Sequence, residues 1–365
     1  MALDRKFIKG NEAIGEAAVR AGCRLFFGYP ITPQTEILEY MSRRLPEVGG
    51  TFLQAESEVS AINMLYGAAG AGARVMTASS SPGISLMMEG VSYLAGAELP
   101  AVIVNVMRAG PGLGGILPGQ ADYLQATKGG GHGDYRCLVL APWSVQEAVA
   151  LVQDAFDLAD YYRNPVLVLC DGVIGQIMEP VAFADERAPC RPLAPKDWAT
   201  TGWSGDRPRA IINSLYLDPD RLQAHNDHLQ AKFARMARDE IRCAEPETAE
   251  PVDLLLVAYG ISARVAVTAR ERLAAAGITA ALCRPISLFP FPTAAVAAAA
   301  DRARAVLVVE MSAGQMLEDV RLAVGKRRPI GFFGRQGGRC ITPEDVVEAA
   351  ERLLAEPAVR EGSRG

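Results

Sequence analysis

No two cysteines in this sequence have the spacing of a metal site or a redox motif: Cys23, Cys137, Cys170, Cys190, Cys243, Cys283 and Cys340 all lie singly. A disulfide scaffold, a zinc ribbon and a cysteine-held iron–sulfur cluster are therefore disfavoured. Any electron-transfer centre must come from outside the chain. Cys137 in CLVLAP and Cys170 in VLVLCDG read as small core residues. Histidine is scarce as well. His225 and His228 share a helical face in HNDH but lack a third ligand at a sensible spacing, so no metal site is expected there. His132, in GGGHGDY, reads as a solvated loop residue. Basic excess is missing: 37 Lys and Arg against 42 Asp and Glu leave a net charge of −5, which disfavours a nucleic-acid partner. Long apolar runs are missing too, since 100–107 and 293–300 fall far short of the ~20 residues that cross a bilayer. The opening MALDRKFIKGNEAIGE has no apolar centre of a signal peptide, so a cytoplasmic protein is expected.

What is present is hydrophobic material in quantity, 50% of 365 residues, enough for two or three domains. From residue 11 to about 180, short apolar runs alternate with amphipathic stretches, the pattern of a parallel sheet wrapped by helices. Strands are expected at 23–27, 51–55, 73–78, 101–107, 137–141 and 166–171. Helix starts are read at Thr32 before Pro33, at Ser144 with Glu147, and at Thr342 before Pro343. Residues 183–208 carry Pro189, Pro192, Pro195 and Pro208 and read as a linker. A charged helix through 221–242 follows. A second strand–helix alternation begins at Val252, and the tail after about Glu356 is expected to fray. The expected fold class is α/β: two parallel-sheet domains, 1–182 and 251–365, joined by the Pro-rich linker and helical segment 183–250.

In open α/β sheets ligands bind beyond the carboxyl ends of the strands, which directs attention to four loops. In FFGYPITPQTE, a helix starting near Thr32 either is merely capped by that residue or aims free amides at an anion. In LQAESEVSAINMLYGAAGAGA, Ser57 caps a helix and puts Glu58 in its first turn. The carboxylate there either answers the helix dipole or points at a ligand. Ile62, Leu65, Tyr66 and Ala69 share one face of that helix, and Gly67, Gly70 and Gly72 read as packing positions. MTASSSPGISLMMEG crowds hydroxyls before a proline-started helix. The long loop from Val104 to Arg136 sets Arg108 at a strand end, where its guanidinium could clamp a carboxylate or serve an ordinary ion pair. Gly110, Gly112 and Gly115 match the dinucleotide spacing formally, but Pro118 follows and no helix opens at the third glycine, so that fingerprint fails its context test.

Taken together, GYPITPQTE, QAESEVSAINMLYGAAGAGARVMTASSSPG, RAGPGLGG, QADYLQATKGGGHGDYR and VVEMSAGQMLEDVR resemble one family, the alpha subunits of 2-oxoacid:ferredoxin oxidoreductases. The resemblance is nearest to the 2-oxoisovalerate and 2-oxoglutarate types. It implies a first domain that binds the pyrimidine end of thiamine diphosphate and a second domain like the transketolase C-terminal domain. It also implies oxidative decarboxylation of a 2-oxoacid with coenzyme A to acyl-CoA, CO2 and reduced ferredoxin. A glutamate of the first domain shares a proton with the pyrimidine ring, which requires a desolvated site; position before the glycine-rich helix assigns this role to Glu58 rather than Glu56. By the same resemblance Thr32 and Arg108 hold the substrate carboxylate, Tyr29 and Ile31 line the cofactor pocket, and Ser81 lies close to the pyrimidine.

The family's magnesium–diphosphate motif, GDG followed by Asn, is missing; CDGVIG at 170 and SGDR at 204 do not fit it. The resemblance therefore implies a beta subunit carrying Mg2+ and the diphosphate half of the site. Gamma and ferredoxin-like subunits would carry the iron–sulfur clusters, and the chain alone would be silent. Two other classes compete: a catalytically inert scaffold or regulatory subunit of such a complex, and a nicotinamide-dependent dehydrogenase. The apolar run around 112–118 suits a branched substrate, whereas 2-oxoglutarate would want a second cation, for which Lys128 or Arg136 could serve.

Overall fold

The computed structural model describes residues 5–184, 187–203, 205–244, 250–357 and 359. Its strands in chain order are β1 (Arg5–Lys9), β2 (Leu25–Gly28), β3 (Thr51–Gln54), β4 (Val75–Ser79), β5 (Ala101–Met107), β6 (Leu138–Leu140), β7 (Pro165–Asp171), β8 (Met178–Ala182), β9 (Cys243–Ala244), β10 (Val252–Ala258), β11 (Ala280–Pro285), β12 (Ser287–Phe289), β13 (Ala303–Glu310) and β14 (Ile330–Gly334). The helices are α1 (Gly10–Arg20), α2 (Thr35–Glu47), α3 (Glu58–Gly70), α4 (Ser81–Gly96), α5 (Tyr123–Lys128), α6 (Val145–Tyr162), α7 (Gly172–Gln176), α8 (Pro219–Asp239), α9 (Gly260–Ala275), α10 (Thr293–Asp301), α11 (Gln315–Val324) and α12 (Pro343–Ala355). No helix of the described residues is long and apolar enough to cross a membrane.

The larger sheet runs β12-β6-β7-β5-β4-β2-β3 and is parallel except at β12. Its central strands β5 and β7 are buried along their whole length, which is why AVIVNVM and PVLVLCD read as unbroken apolar runs rather than as alternation. The smaller sheet runs β14-β13-β10-β11-β9, parallel except at β9. Here period two is visible. Leu255 and Val257 join the core shared with the first sheet, while Leu254, Leu256 and Ala258 enter a second core with Ala263 and Val346.

Every strand expected before residue 180 is present within a few residues of its expected limits, and Ser144, Ser57 and Thr342 cap α6, α3 and α12 through their side chains. Cys137 and Cys170 are core residues. One cap reading is corrected. Helix α2 begins at Thr35, not after Thr32, and residues 32–34 form a turn with a cis Thr32–Pro33 bond. Thr32 itself is exposed and caps nothing. The antiparallel pieces were not anticipated: β1 pairs with β8 as a separate ribbon, and β12, three residues from the second half of the chain, closes the edge of the first sheet against β6. Runs this short carry no period that sequence can display.

Part of the expected linker touches the first domain. Thr200 donates through both its amide and its hydroxyl to Gly70 O at the end of α3, and Ala199 and Ile212 lie against Gly72 and Gly70. The expected fraying of the tail concerns residues that lie largely outside the described ones. Helix α8 rests on the first domain. Its Phe233 and Met236 are buried there, and Lys232 Nζ reaches Glu98 Oε1 at 3.2 Å and Arg163 O at 3.1 Å.

Candidate active site

Strand β2 neighbours β3 on one side and β4 on the other. The chain therefore reverses its direction of travel across the sheet between β2 and β4, and a crevice opens there beyond their carboxyl ends. The loops that follow β2, β3, β4 and β5 edge this crevice, and they carry the residues singled out in the sequence.

The two glutamates after β3 part company. Glu56 is exposed, accepts a hydrogen bond from Ser60 Oγ at 2.6 Å, and has its pKa lowered by that bond. Glu58 turns inward at the first position of α3 and is 6% exposed. Its carboxylate accepts no side-chain hydrogen bond from any described residue. Beside it lies Gly83 in the first turn of α4, where a Cβ would run into Ser79 Oγ and Glu58 Oε1. The absence of a side chain there lets the two helix heads meet around the carboxylate. Ser79 Oγ, Ser80 Oγ and, one turn of strand deeper, Thr77 Oγ1 are buried without hydrogen-bond partners. Buried polar atoms are ordinarily satisfied, so a run of unsatisfied hydroxyls next to an unsatisfied carboxylate marks a place built to meet something other than this chain.

Arg108, directly after β5, is 8% exposed. Its Nη1 donates to Thr32 O at 3.1 Å and its Nη2 to Leu113 O at 3.1 Å, while Nε is buried and unpartnered. Both partners are neutral carbonyls, and no described carboxylate lies within ion-pair distance. The guanidinium thereby ties the β2 loop to the glycine-rich loop while keeping its charge uncompensated. Ser81 accepts from Arg108 N at 3.0 Å and donates to Asp122 Oδ2 at 2.6 Å, and its amide donates to Asn105 Oδ1 at 3.1 Å. Arg108, Ser81 and Asp122 line a cavity of about 580 Å³ that is closed on its far side by Met311, Ser312 and Gln336 of the second domain.

The structure thus gathers Arg108, Ser81 and the Thr32 backbone directly, and sets Glu58 behind the head of α4. Tyr29, at 37% exposure, and Ile31, half-buried, sit on the β2 loop. The Thr32 side chain faces a neighbouring cavity of about 770 Å³ with Ile116, Leu117 and Pro118. No helix starts at Gly115, so the GPGLGG run lacks the loop-to-helix context of a dinucleotide site. Among the described residues no group of His, Cys, Asp or Glu could hold a metal. His132 is exposed, and His225 and His228 bind Gly96 O and Glu98.

Two polar groups were missed. Asp122, pushed up in pKa by burial, accepts from Ser81 and from Asn105 Nδ2 at 2.9 Å. Gln120 is the pin between domains: its Nε2 donates to Tyr259 O, its Oε1 accepts from Ser262 Oγ at 2.7 Å and Met311 N at 2.9 Å, and its own amide donates to Met311 O. Only their neighbourhood, QADY at the end of a long glycine-rich loop, signals them in sequence. Asp171, in the CDG run that lacked a role, caps two helices from different domains, accepting from Ile174 N of α7 and Ile261 N of α9.

Residues 16–201 match the family described as pyruvate flavodoxin/ferredoxin oxidoreductase, thiamine diphosphate-binding, and residues 252–346 match pyruvate:ferredoxin oxidoreductase core domain II. The chain is 53% identical over 351 residues to ketoisovalerate oxidoreductase subunit VorB of Methanothermobacter thermautotrophicus, covering 96% of this chain and 98% of that protein. It is 37% identical over 365 residues to 2-oxoglutarate synthase subunit KorA of the same organism, with 93% and 96% covered. The solved 2-oxoglutarate:ferredoxin oxidoreductase from Magnetococcus marinus, with 2-oxoglutarate, coenzyme A and succinyl-CoA bound, superposes with a TM-score of 0.86 at 27% identity, over 96% of this chain and 66% of that one.

Proposed function

The chain belongs to the 2-oxoacid:ferredoxin oxidoreductase family, and from that premise we propose that it is the alpha subunit of an enzyme that oxidatively decarboxylates a branched-chain 2-oxoacid of the 2-oxoisovalerate type with coenzyme A. The first domain is that family's thiamine diphosphate-binding domain. The products of the reaction are acyl-CoA, CO2 and reduced ferredoxin. A beta subunit supplies Mg2+ and the diphosphate half of the site. Gamma and ferredoxin-like subunits carry the iron–sulfur clusters, in keeping with relatives that are named as subunits.

The observation that carries the reading is a mismatch of charge and hydrogen bonding on one edge of one sheet: a buried carboxylate without donors and a buried guanidinium without a counterion. The chain's residues fit a polar heterocycle at Glu58. Ser79 and Ser80 have their hydrogen bonding unspent, the Glu58 carboxyl accepts from no described residue, and Gly83 brings no side chain against it. When bound, thiamine diphosphate supplies the carbon nucleophile and the electron sink that decarboxylation needs. Glu58 holds and returns a proton at the pyrimidine nitrogen from its place between the heads of α3 and α4. Arg108 meets the substrate carboxylate with the donors it does not spend on Thr32 O and Leu113 O. Ser81 and Asp122 fix the loop that presents Arg108, and Tyr29 and Ile31 stand on the β2 loop beside Thr32.

A branched tail is favoured over 2-oxoglutarate because neither cation considered for a second carboxylate, Lys128 or Arg136, lines the Arg108 cavity or the one beside Thr32. Lys128 is also paired with Asp319 at 2.5 Å. Ile116, Leu117 and Pro118 of the glycine-rich loop add apolar surface to the neighbouring cavity beside Thr32. The test is acyl-CoA formation across 2-oxoacids by the chain assembled with its partner subunits, using an artificial electron acceptor. Turnover of 2-oxoisovalerate above 2-oxoglutarate is expected. Full turnover by the Glu58→Gln variant in an intact, cofactor-loaded complex would favour the inert-scaffold reading instead.

A further inference from the structure

Strand β9 is two residues long, and its ladder sets Cys243 opposite Pro285 and Ala244 opposite Arg284 of β11. Cys283 lies two residues before Pro285 on β11. It therefore shares the Cys243 face of the sheet, diagonally across the pair, and the two sulfurs stand 3.5 Å apart. A disulfide needs ~2.05 Å between sulfurs, so about 1.5 Å of approach is required. An edge strand of two residues can give that distance without disturbing the strands behind it. None of the other cysteines is placed in this way. Cys23 and Cys137 are fully buried, with thiols pushed up to about 12 by burial, and Cys340 is exposed.

We propose that Cys243 and Cys283 are a modification site, a thiol–disulfide couple oxidised by hydroperoxides. Cys243 is half-buried and Cys283 buried, so Cys243 meets the oxidant and Cys283 resolves. The Cys243 thiolate attacks a peroxide oxygen, the O–O bond breaks, hydroxide leaves, and a sulfenic acid forms. The Cys283 sulfur then attacks the Cys243 sulfur; the S–S bond forms, the S–O bond breaks, and the oxygen leaves as water with the thiol's proton. Two thiols and one hydrogen peroxide give one disulfide and two waters.

The bond would fall where the chain crosses between domains. Arg242, the residue before β9, donates from its amide to Ser287 Oγ at 2.9 Å, accepts from Ile286 N and Ser287 N at 3.0 Å, and reaches Asp154 Oδ2 of α6 at 2.6 Å. Oxidation therefore fastens the strap that follows α8 to the second sheet at a point already stitched to the first.

The experiment treats the reduced full chain with stoichiometric hydrogen peroxide and maps its peptides without reductant. The expected product is a Cys243–Cys283 cross-linked pair lighter by two hydrogens, reversed by dithiothreitol and unchanged in a Cys340→Ala background. Wild-type chain should take up roughly tenfold less dimedone than Cys283→Ser, in which the Cys243 sulfenic acid has no resolving thiol. The oxidised wild type should melt above its reduced form, and Cys243→Ser should show no such shift. Conversion of Cys243 to sulfinate without a cross-link, cross-linking to another cysteine, or an unreacted pair at peroxide levels that oxidise Cys340 would each overturn the proposal.

Discussion

Glu58 and Glu310 are both acidic residues set where a strand gives way to a helix, and both are buried, at 6% and 0% exposure. Their surroundings differ in one respect. Glu310, at the end of β13, accepts from Met316 N at 3.0 Å, Leu317 N at 3.1 Å and Ser312 Oγ at 2.7 Å, so it is a saturated cap for α11. Glu58 accepts from no described side chain or amide through its carboxyl. The second domain spends its strand-end polar groups on its own helix and on Gln120 and Asp171 at the domain junction. The first domain leaves Glu58, Ser79, Ser80 and Arg108 with capacity to spare. Burial alone therefore does not separate site from scaffold; the strand-end cluster of Ser79, Ser80 and Arg108 Nε, buried and unpartnered beside Glu58, is what sets the first crevice apart.

The largest effect that sharpens this contrast is expected at Glu58. Glu58→Gln keeps shape and removes the proton-exchanging group, so kcat of the assembled enzyme should fall about 10²- to 10⁴-fold. The melting temperature should hold, since no hydrogen bond or ion pair to a described residue is lost with the carboxylate. Glu310→Gln should do the reverse: the amide turns a donor toward helix-head amides, costing about 2–4 kcal/mol of stability by urea unfolding. Activity per folded molecule should stay near wild type. A Glu310→Gln enzyme that folds normally but is silent would erase the distinction between the two regions.

This contrast also marks where sequence stopped being informative. The strands of both sheets were legible because central parallel strands must be apolar on both faces, and the Ser57, Ser144 and Thr342 caps because a side-chain oxygen at a helix start has a local signature. The preference for Glu58 over Glu56 came from the resemblance together with its position before the glycine-rich helix. What was not legible depends on partners distant in sequence. Gln120 joins groups 139 and 191 residues away. Thr32 reads as a cap, yet the turn through Pro33 moves the helix start to Thr35. Asp171 reads as a failed metal motif and is a cap shared by two domains.

The junction supplies the next test. Burial pushes Asp171 up to about 6 from 3.8, against an unfolded carboxyl that ionises near the lower value. Between about pH 4 and pH 6 the folded chain holds a proton that the unfolded chain has lost. Ionisation of Asp171 is therefore a full cost above pH 6, and stability should rise as pH falls from 7 toward 4, by about 2 kcal/mol from this group. Asp171→Asn should flatten that part of the profile while forfeiting one of the two helix caps. Gly260 cannot be replaced in such experiments: it has φ +55, and a Cβ there would meet Asp171 Oδ2. Urea midpoints at pH 5 and pH 7 read the effect, and equal slopes in both proteins would remove Asp171 from the account.

The smallest expected effect comes from two buried arginines. Arg284, on β11, forks both nitrogens onto Glu147 at 2.9 Å each and stacks on Trp143 at 4.3 Å; its charge and its plane are both used within the fold. Arg108 spends two donors on neutral carbonyls and keeps its charge. Lysine is a point charge that cannot reproduce a fork, so the two Arg→Lys changes should fail in different ways. Arg284→Lys should lose about 1–2 kcal/mol of stability with substrate dependence unchanged, as expected when a bidentate buried pair becomes a single contact. Arg108→Lys should fold nearly as well, because it breaks no ion pair, and should raise KM for the 2-oxoacid about tenfold, the equivalent of about 1.4 kcal/mol. The discriminating measurement is the pair of ratios taken together. A KM rise in Arg284→Lys as large as in Arg108→Lys would mean that uncompensated charge in the crevice is not what holds the substrate carboxylate.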